Sequence, residues 1–279
     1  MIRYSAIALI FLAAGAAQAG EKTLDKTFSV AAGGTLTVDA DSASVEVAGG
    51  DTNQVTVHMR YRASDEELAR MVLDAAQKDD GVLVTMRRQE KKSWFSSSWN
   101  SDGDIKVTVP RKYMLNVRTG GGSIQVRDTV GTVDLNTSGG DIEAKHLDGS
   151  VKVRTSGGGI LVDTLHGDID ANTSGGDVRL MRIDGRIKGR TSGGNVRVSL
   201  VGANREIYAN TSGGDVELSV PKSTTGYVDA TTSGGEITSD LPVATNSVKE
   251  GQLKGSLNGG GPPIEVHTSG GSIRLRATD

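Results

Sequence analysis

The chain has 279 residues with 31 basic and 34 acidic side chains, which gives a formal net charge of −3. A balance this mild argues against nucleic acid as a partner, because nucleic-acid-binding domains carry clustered positive charge. The chain contains no cysteine, which excludes disulfide bonds and a lipid attached to a cysteine.

The first residues have the pattern of a secretory signal peptide. Arg3 supplies the positive charge, Ile7 to Ala14 form an apolar core, and Ala17-Gln18-Ala19 matches an A-x-A cleavage site. The apolar core is too short to span a membrane. We therefore expect residues 1–19 to be removed on export and residues 20–279 to form one domain. The expected location is the periplasm, with secretion or the cell surface as the alternative.

The middle of the sequence has a short period. A β-branched aliphatic residue returns every nine positions, at Ile124, Val133, Ile142, Val151, Ile160, Ile169, Val178, Ile187 and Val196. A second small or aliphatic residue follows most of them at the next position but one, so both side chains point to the same face of a short strand. A fixed short period of this kind is typical of solenoids.

Glycine-rich corners separate the strands and set the full repeat at 18 residues. A TSGG-type turn begins at Thr119, Thr137, Thr155, Thr173 and Thr191, and a second corner returns at Gly131, Gly149, Gly167 and Gly185. We expect the glycines to supply the positive φ values that a sharp corner requires. We expect the threonines to form side-chain ladders between neighbouring turns of the chain.

These patterns predict an all-β fold, a single parallel β-solenoid with two strands in each turn of about 18 residues. Crossovers between parallel strands are usually right-handed, so we expect a right-handed β-helix. A left-handed hexapeptide helix is disfavoured because its shorter period does not match. A calcium-binding nonapeptide roll is disfavoured because aliphatic residues occupy the positions of its ligands.

Charged residues at the TSGG corner alternate with neutral ones. Arginine and asparagine alternate before the corner, and aspartate alternates with Ser, Gly or Asn after it, at Ser123, Asp141, Gly159, Asp177, Asn195 and Asp215. A strict copy every 18 residues would place like charges on neighbouring strands, where repulsion destabilises the sheet. Alternation roughly doubles the distance between them.

The period is interrupted near the N terminus. Residues 21–30 are expected to form an edge strand or cap, and Val55 and Val57 to belong to a regular turn. Ser64-Asp65-Glu66-Glu67 is a capping box. It precedes an apolar stripe with helical spacing, made of Leu68, Met71, Val72, Ala75 and Ala76. We expect an insertion at residues 64–80, with an amphipathic helix from about Asp65 to Lys78 packed on a flank of the solenoid.

Two more segments depart from the repeat. Strands are predicted at Val82–Arg88 and Ile105–Val109, joined by an aromatic–basic loop at residues 89–104. Residues 242–263 are rich in Gly, Pro, Ser and Asn, and an irregular loop is predicted there. A final turn carrying Ile264 and Ile273 is expected to close the stack.

The segment IKVTVPRKYMLNVRTGGGSIQV, followed by serial V-x-V-x-T-S-G-G-D-I units, resembles the putative adhesin family of bacterial exported β-strand-repeat proteins. This is a domain family of unknown function, similar in style to auto-transporter adhesin head domains. The resemblance is strongest from about Ile105 to Ile237. It implies a β-helical fold and supplies no catalytic motif.

Both tryptophans of the chain lie in the aromatic–basic loop. The candidate ligand-binding residues there are Trp94, Phe95, Trp99, Arg87, Arg88, Lys91 and Lys92. Aromatic rings can stack on sugars or lie at lipid head groups while the neighbouring cations contact phosphates. The alternative is that the rings fold back and cover an open sheet edge.

A second candidate lies at the other glycine corner. Asp148, His166 and Asp184 recur at the 18-residue spacing and should form a column. A histidine between two carboxylates favours its charged form and could serve acid–base chemistry or, with Asp168, a metal. The alternative is that the histidine only separates two like charges. We predict no metal, no cofactor and no catalytic residue, since the sequence has no G-x-S-x-G, P-loop or H-E-x-x-H motif.

The sequence therefore predicts a non-enzymatic binding or scaffold protein of the cell envelope. Its partner would be an envelope polysaccharide, a lipid head group or a protein. The alternative is a carbohydrate-active enzyme, a polysaccharide lyase or hydrolase, because parallel β-helices also carry such activities. Those enzymes require paired carboxylates, or calcium with a basic residue, in a groove on one sheet face.

Overall fold

The computed structural model describes residues 20–89 and 102–279, without the side chains of residues 246–249. In this part of the chain the structure is almost entirely β, with 25 strands and one short helix. The chain divides into two compact units, residues 1–137 and 138–279. We call them the N-terminal unit and the C-terminal unit.

The N-terminal unit has ten strands and one helix in its described residues. They are β1 (Glu21–Ser29), β2 (Thr35–Ala40), β3 (Ser44–Gly50), β4 (Gln54–Arg62), α1 (Asp65–Arg70), β5 (Met71–Lys78), β6 (Gly81–Arg88), β7 (Asp102–Pro110), β8 (Met114–Thr119), β9 (Ile124–Val130) and β10 (Val133–Thr137).

The C-terminal unit has fifteen strands. They are β11 (Ile142–Asp148), β12 (Val151–Arg154), β13 (Ile160–His166), β14 (Ile169–Asn172), β15 (Val178–Asp184), β16 (Ile187–Arg190), β17 (Val196–Leu200), β18 (Ile207–Asn210), β19 (Val216–Pro221), β20 (Gly226–Thr232), β21 (Ile237–Ser239), β22 (Val243–Lys249), β23 (Gln252–Leu257), β24 (Pro263–Thr268) and β25 (Ile273–Thr278).

The C-terminal unit follows the predicted repeat. Odd-numbered strands from β11 to β19 are parallel neighbours in one sheet, and even-numbered strands from β12 to β18 are parallel neighbours in a second. Ile142 lies opposite Ile160, which lies opposite Val178, and all three are at most 2% exposed. The predicted stacking of parallel strands on a buried aliphatic core is therefore confirmed. We call each turn of chain, with one strand in either sheet, a coil.

The last coil does not close the stack as predicted but is inserted between earlier coils. β24 pairs in parallel with β18 on one side and β20 on the other. β25 likewise lies between β19 and β21. This order places Ser272 between two acidic residues, because its N–H donates to Asp215 at 2.8 Å and its hydroxyl accepts from the Glu236 N–H at 3.3 Å. The predicted alternation of charge thus extends to a coil that is distant in sequence.

Residues 242–263 are also more regular than predicted. β22 and β23 form an antiparallel hairpin, and β23 pairs with β20. Positive φ occurs at the hairpin turn, in Gly251, and in the turn before β24, in Asn258, Gly259, Gly260 and Gly261. The composition of residues 242–263 predicted a loop. These polar residues form strands because the backbone groups at the edge of β20 pair with β23, which in turn pairs with β22.

In the N-terminal unit the coils are also interleaved. β3 lies between β7 and β9, and β2 lies between β6 and β8, all in parallel. The outer strands are antiparallel: β4 pairs with β7, β1 with β4, and β5 with β6. The predicted edge strand is confirmed as β1, whereas Val55 and Val57 belong to an antiparallel strand rather than to a regular turn.

The predicted helix from Asp65 to Lys78 is wrong beyond its first six residues. α1 ends at Arg70 and buries no residue, and Ser64 makes no side-chain capping hydrogen bond. Met71, Leu73 and Ala75 instead alternate inward along β5 and are at most 8% exposed. Pairing with the whole length of β6 stabilises the strand and overrides the helical stripe, since local propensity is a weak preference.

Each TSGG corner is fixed by a buried threonine that bonds to the backbone of the neighbouring coil. In the C-terminal unit the hydroxyls of Thr155, Thr173, Thr191, Thr211, Thr232 and Thr268 donate to the carbonyls of Gly140, Gly158, Gly176, Gly194, Gly271 and Gly214 at 2.7–2.9 Å. The predicted ladder therefore runs from hydroxyl to carbonyl rather than from side chain to side chain. It includes the inserted last coil, since Thr268 donates to Gly214 and Thr232 donates to Gly271.

The glycines of this corner are required by close approach, not by positive φ as predicted. A Cβ at Gly176 would lie 2.3 Å from the Gly158 oxygen, although the φ of Gly176 is not positive. At the second corner both causes act, because Gly167 has a φ of +144° and its Cβ would lie 2.0 Å from the Gly149 oxygen. Stacked backbones thus exclude side chains at both corners.

Two lysines close the exposed edge of β5. The Lys22 ammonium donates to the Met71 carbonyl and the Lys26 ammonium to the Ala75 carbonyl, each at 2.6 Å. Lys26 also lies 3.1 Å from the Asp74 carboxylate. Carbonyls along a free edge are a template for pairing with another chain, and lysine is a common means of blocking them.

We predict that Thr173→Val lowers the free energy of unfolding by about 1–3 kcal/mol, because the buried Gly158 carbonyl loses its donor. Chemical denaturation measures the difference. Ser174→Ala alters the exposed neighbour and should change the free energy by no more than about 0.5 kcal/mol. Equal losses in both variants would contradict a specific role for the buried hydroxyl.

We predict that the Lys22→Met, Lys26→Met double variant self-associates more than the wild type, because the β5 carbonyls lose their donors. Sedimentation velocity at matched concentrations measures the association. Lys106→Met is the control, since Lys106 is an exposed lysine that faces Glu46 at 3.9 Å and bonds to no edge carbonyl. An unchanged distribution in the double variant would contradict the protective role.

Candidate functional site

The aromatic–basic loop lies largely outside the described residues. Its members Lys91, Lys92, Trp94, Phe95 and Trp99 belong to residues 90–101, which the structure does not describe.

The two arginines of this candidate end β6 and are held by carboxylates. The Arg87 guanidinium contacts the Asp39 carboxylate. The Arg88 N–H donates to Asp41 at 2.8 Å, and its guanidinium lies 3.6 Å from Glu67. Both positive charges are therefore compensated within the N-terminal unit.

The column at the second glycine corner forms as predicted. Asp148 is in register with His166, and His166 with Asp184. The His166 Nδ1 lies 3.8 Å from the Asp184 carboxylate, which also lies 3.6 Å from Arg205. In residues 20–89 and 102–279, no three His, Cys, Asp or Glu side chains are grouped to hold a metal.

The fourth residue considered for this column is engaged elsewhere. Asp168 accepts the Arg186 N–H at 2.9 Å and the Arg186 Nε–H at 3.1 Å. Its carboxylate therefore fixes the backbone of the next coil. This arrangement favours a structural role for the corner, in which opposite charges are interleaved.

A shallow groove of about 200 Å³ lies on the N-terminal unit, and its polar lining residues are Ser44, Glu46, Asp104, Lys106, Ser123 and Gln125. The Arg60 Nε–H donates to Asp104 at 3.1 Å, and this hydrogen bond raises the pKa of the guanidinium. Arg127 donates to Glu46 at 3.3 Å. The charged groups at the groove are thus mutually paired.

The outer face of the even-numbered sheet in the C-terminal unit has two rows of side chains across its strands. In the order of the strands, the first outer row is Lys152, Asp170, Lys188, Tyr208, Glu265, Asp229 and Lys254. The second outer row is Arg154, Asn172, Arg190, Asn210, His267, Thr231 and Gln252. Insertion of β24 brings its two outward residues into the middle of both rows.

Tyr208 is held in place by its neighbours in these rows. The Arg190 guanidinium lies over the ring, 4.7 Å from its centroid. The His267 ring lies 6.3 Å away at an interplanar angle of 58°. The Asn210 amide donates to the tyrosine hydroxyl at 3.3 Å. Cation–π and edge contacts of this kind fix the ring beside Glu265.

Glu265 differs from the other two acidic residues of the rows, Asp170 and Asp229, which both form ion pairs. It is exposed and has no hydrogen-bond or ion-pair partner among the side chains that the structure describes. Its neighbour across the strand is Asp229, which bonds to Lys254 at 2.7 Å and accepts from Thr231 at 3.2 Å. This is the one step of the described rows at which two charges of the same sign are neighbours.

Both surface tyrosines of the described chain lie on the strands next to Glu265, Tyr208 directly opposite it and Tyr227 opposite Pro263. Tyr61 and Tyr113 are buried, whereas Tyr208 precedes Glu265 in the first outer row and Tyr227, on β20, is 58% exposed. We call Tyr208, Tyr227, Asp229, Glu265 and His267 the Glu265 face. Two aromatic rings and a free carboxylate can bind a polar ligand that offers both apolar faces and hydrogen-bond donors.

Sequence reasoning missed the Glu265 face because β18, β24 and β20 are not consecutive coils. Tyr208, Tyr227 and Glu265 each follow an inward residue of the repeat, so the alternation alone predicts that they point outward. It does not predict that they are neighbours. That follows only from the inserted order of the strands.

No curated protein is significantly similar to the chain in sequence. Similar solved structures include a putative adhesin from Bacteroides fragilis NCTC 9343, with 12% identity, a TM-score of 0.47 and coverage of 92% of this chain and 97% of that chain. A putative lipid binding protein from Parabacteroides distasonis ATCC 8503 has 14% identity, a TM-score of 0.37 and coverage of 92% and 96%. A putative cell adhesion protein from Clostridium sporogenes ATCC 15579 has 14% identity, a TM-score of 0.31 and coverage of 92% and 100%. Likenesses this distant carry no function to this chain.

Within the described ranges, 20–89 and 102–279, no helix has the length and apolarity to cross a membrane. The family model of Toastrack DUF4097 matches residues 34–276, which include most strands of both units. The family resemblance that the sequence indicated is thereby confirmed. The chain belongs to the Toastrack DUF4097 family.

Proposed function

We propose that the protein is a non-enzymatic binding or scaffold protein of the cell envelope. The observation that carries this proposal is the pair of outer rows in the C-terminal unit, where each strand adds one outward side chain, mostly polar or charged, to each row above an aliphatic core. A surface with a repeated spacing suits an extended partner, because successive coils present outward side chains at regular intervals along the stack.

The proposal includes export to the periplasm, with secretion or the cell surface as the alternative. It rests on the pattern of residues 1–19, in which a positive charge, an apolar core and a small-residue cleavage site follow one another. We also propose that the coils are right-handed, as crossovers between parallel strands usually are.

Residues 90–101 are included in the proposed binding surface because of their composition. Trp94, Phe95 and Trp99 supply aromatic faces, and Lys91 and Lys92 supply cations. The partners that fit this composition are an envelope polysaccharide, a lipid head group or a protein surface. If the rings instead cover a sheet edge, replacing them should lower the melting temperature of the protein.

A carbohydrate-active enzyme is the second candidate. One observation favours it, namely the direct opposition of the Glu265 and Asp229 carboxylates on neighbouring strands, since glycosidases use two carboxylates that flank the scissile bond. The ion pair of Asp229 with Lys254 weighs against it, because that carboxylate already has a structural partner. Release of sugar fragments from peptidoglycan or a polyuronate, abolished by Glu265→Gln, would establish the enzyme and overturn the binding proposal.

We predict that the Trp94→Ala, Trp99→Ala double variant captures at least tenfold less material from a cell-envelope extract than the wild type, at an unchanged melting temperature. The rings are expected to contribute about 1–3 kcal/mol each when they stack on a ligand. Compositional analysis of the captured sugar, lipid and protein measures the loss.

The control for this experiment is Ser96→Ala, Ser97→Ala, which alters the same segment without removing an aromatic ring. It should capture as much as the wild type. A large fall in the melting temperature of the tryptophan variant would show that the rings protect the fold. Undiminished capture by a stable tryptophan variant would remove the segment from the binding surface.

A further inference from the structure

The carboxylate of Glu265 lies within the first outer row, between Tyr208 on one neighbouring strand and Asp229 on the other. It is exposed, it lies opposite Asp229, and it has no cationic partner among the described side chains. Like charges on directly opposed strand positions destabilise a sheet. The other charges of the two outer rows avoid this, as Asp170 does by lying 3.8 Å from Arg154 and 3.6 Å from Arg190.

The surroundings of Glu265 suit a cationic group better than a second carboxylate or a phosphate. Lys254 is already engaged with Asp229 at 2.7 Å, and Arg190 lies over the Tyr208 ring. Neither cation is therefore available to an anionic ligand at this position. An incoming ammonium group would be attracted by Glu265 and would offset its repulsion from Asp229.

The two tyrosines add an apolar component. Tyr227 is 58% exposed and stands on the strand beside Glu265, next to the backbone of Gly260, where a Cβ would lie 2.6 Å from the ring. A ring held against backbone presents its remaining surface with little loss of entropy on binding. Rings of this kind stack on the apolar faces of sugar rings and attract ammonium groups through their π-electrons.

We infer that the Glu265 face binds a glycan that carries free amines, with an ammonium group on Glu265 and a sugar ring against Tyr227. This inference rests on the proposed binding function, and it specifies the class of ligand that the C-terminal unit binds. His267 and Asn210, which follow in the second outer row, offer hydrogen-bonding groups to hydroxyls of the same glycan. We expect a polyanionic glycan to bind this face less well, because the Glu265 carboxylate repels it.

Isothermal titration of the full mature chain with a β-1,4-linked glucosamine oligomer tests the inference. Three further probes define the chemistry: the fully N-acetylated oligomer of the same length, spermidine, and an oligogalacturonate. We expect the glucosamine oligomer to bind best, with an affinity that falls as salt is added. Equal binding of the N-acetylated oligomer would overturn the role of the amine, and equal binding of spermidine would overturn the role of the sugar.

Glu265→Gln should weaken binding of the glucosamine oligomer by about tenfold, the loss expected for one charge-assisted contact. Tyr227→Ala should weaken it by about threefold to tenfold. Glu236→Gln is the matched control, since Glu236 is an exposed carboxylate outside the face. Melting curves of all variants should coincide, and a Tyr227 variant that fails to fold leaves Glu265→Gln to decide.

The inference fails if the wild type does not bind the oligomer or if Glu265→Gln binds it as tightly as the wild type. Capture of envelope material by the wild type and by Glu265→Gln alike would leave the proposed binding function standing while removing this face from it. Failure of both capture and oligomer binding would reject the two together.

Discussion

The close approach of stacked backbones at the TSGG corner is the constraint on which the rest of the structure depends. The second glycine of a corner leaves no space for a Cβ, as at Gly176, and the threonine that begins the same corner, Thr173, donates its buried hydroxyl to the neighbouring coil. These contacts hold successive coils of the C-terminal unit in one register. Because the register is fixed, outward residues at equivalent positions of successive strands are neighbours, and they form continuous rows on the surface.

The repeat itself was predictable because it is local. Inward residues such as Ile160 and Val178 are specified by alternation and by the glycines that precede them, and the structure buries them as expected. Where local signals conflicted with pairing, pairing decided the outcome. Met71 and Ala75 fit a helical stripe, yet the edge of β6 offered hydrogen bonds over a whole strand and the helix ends at Arg70.

The order of the coils was not predictable from the sequence. The candidate site was therefore not predictable either, because it depends on that order. Coils that share a length and a glycine corner are interchangeable as neighbours as far as the period is concerned. What distinguishes them is charge: Ser272 separates Asp215 from Glu236 only because the last coil is inserted. The same insertion sets Glu265 beside Tyr208 on one side and Asp229 on the other, so that residues distant in sequence form one face.

The inserted last coil also determines when the C-terminal unit can become complete. β20 pairs with β24, and β21 pairs with β25. Both partners come later in the sequence than the strands that they join to the sheets. A polypeptide that emerges with its N terminus first can stack β11 to β19 progressively, but β20 and β21 must wait until β24 and β25 have been made. Completion of this unit therefore follows synthesis of β24 and β25, and a chain that stops before Pro263 leaves two sheet edges without the strand that joins them.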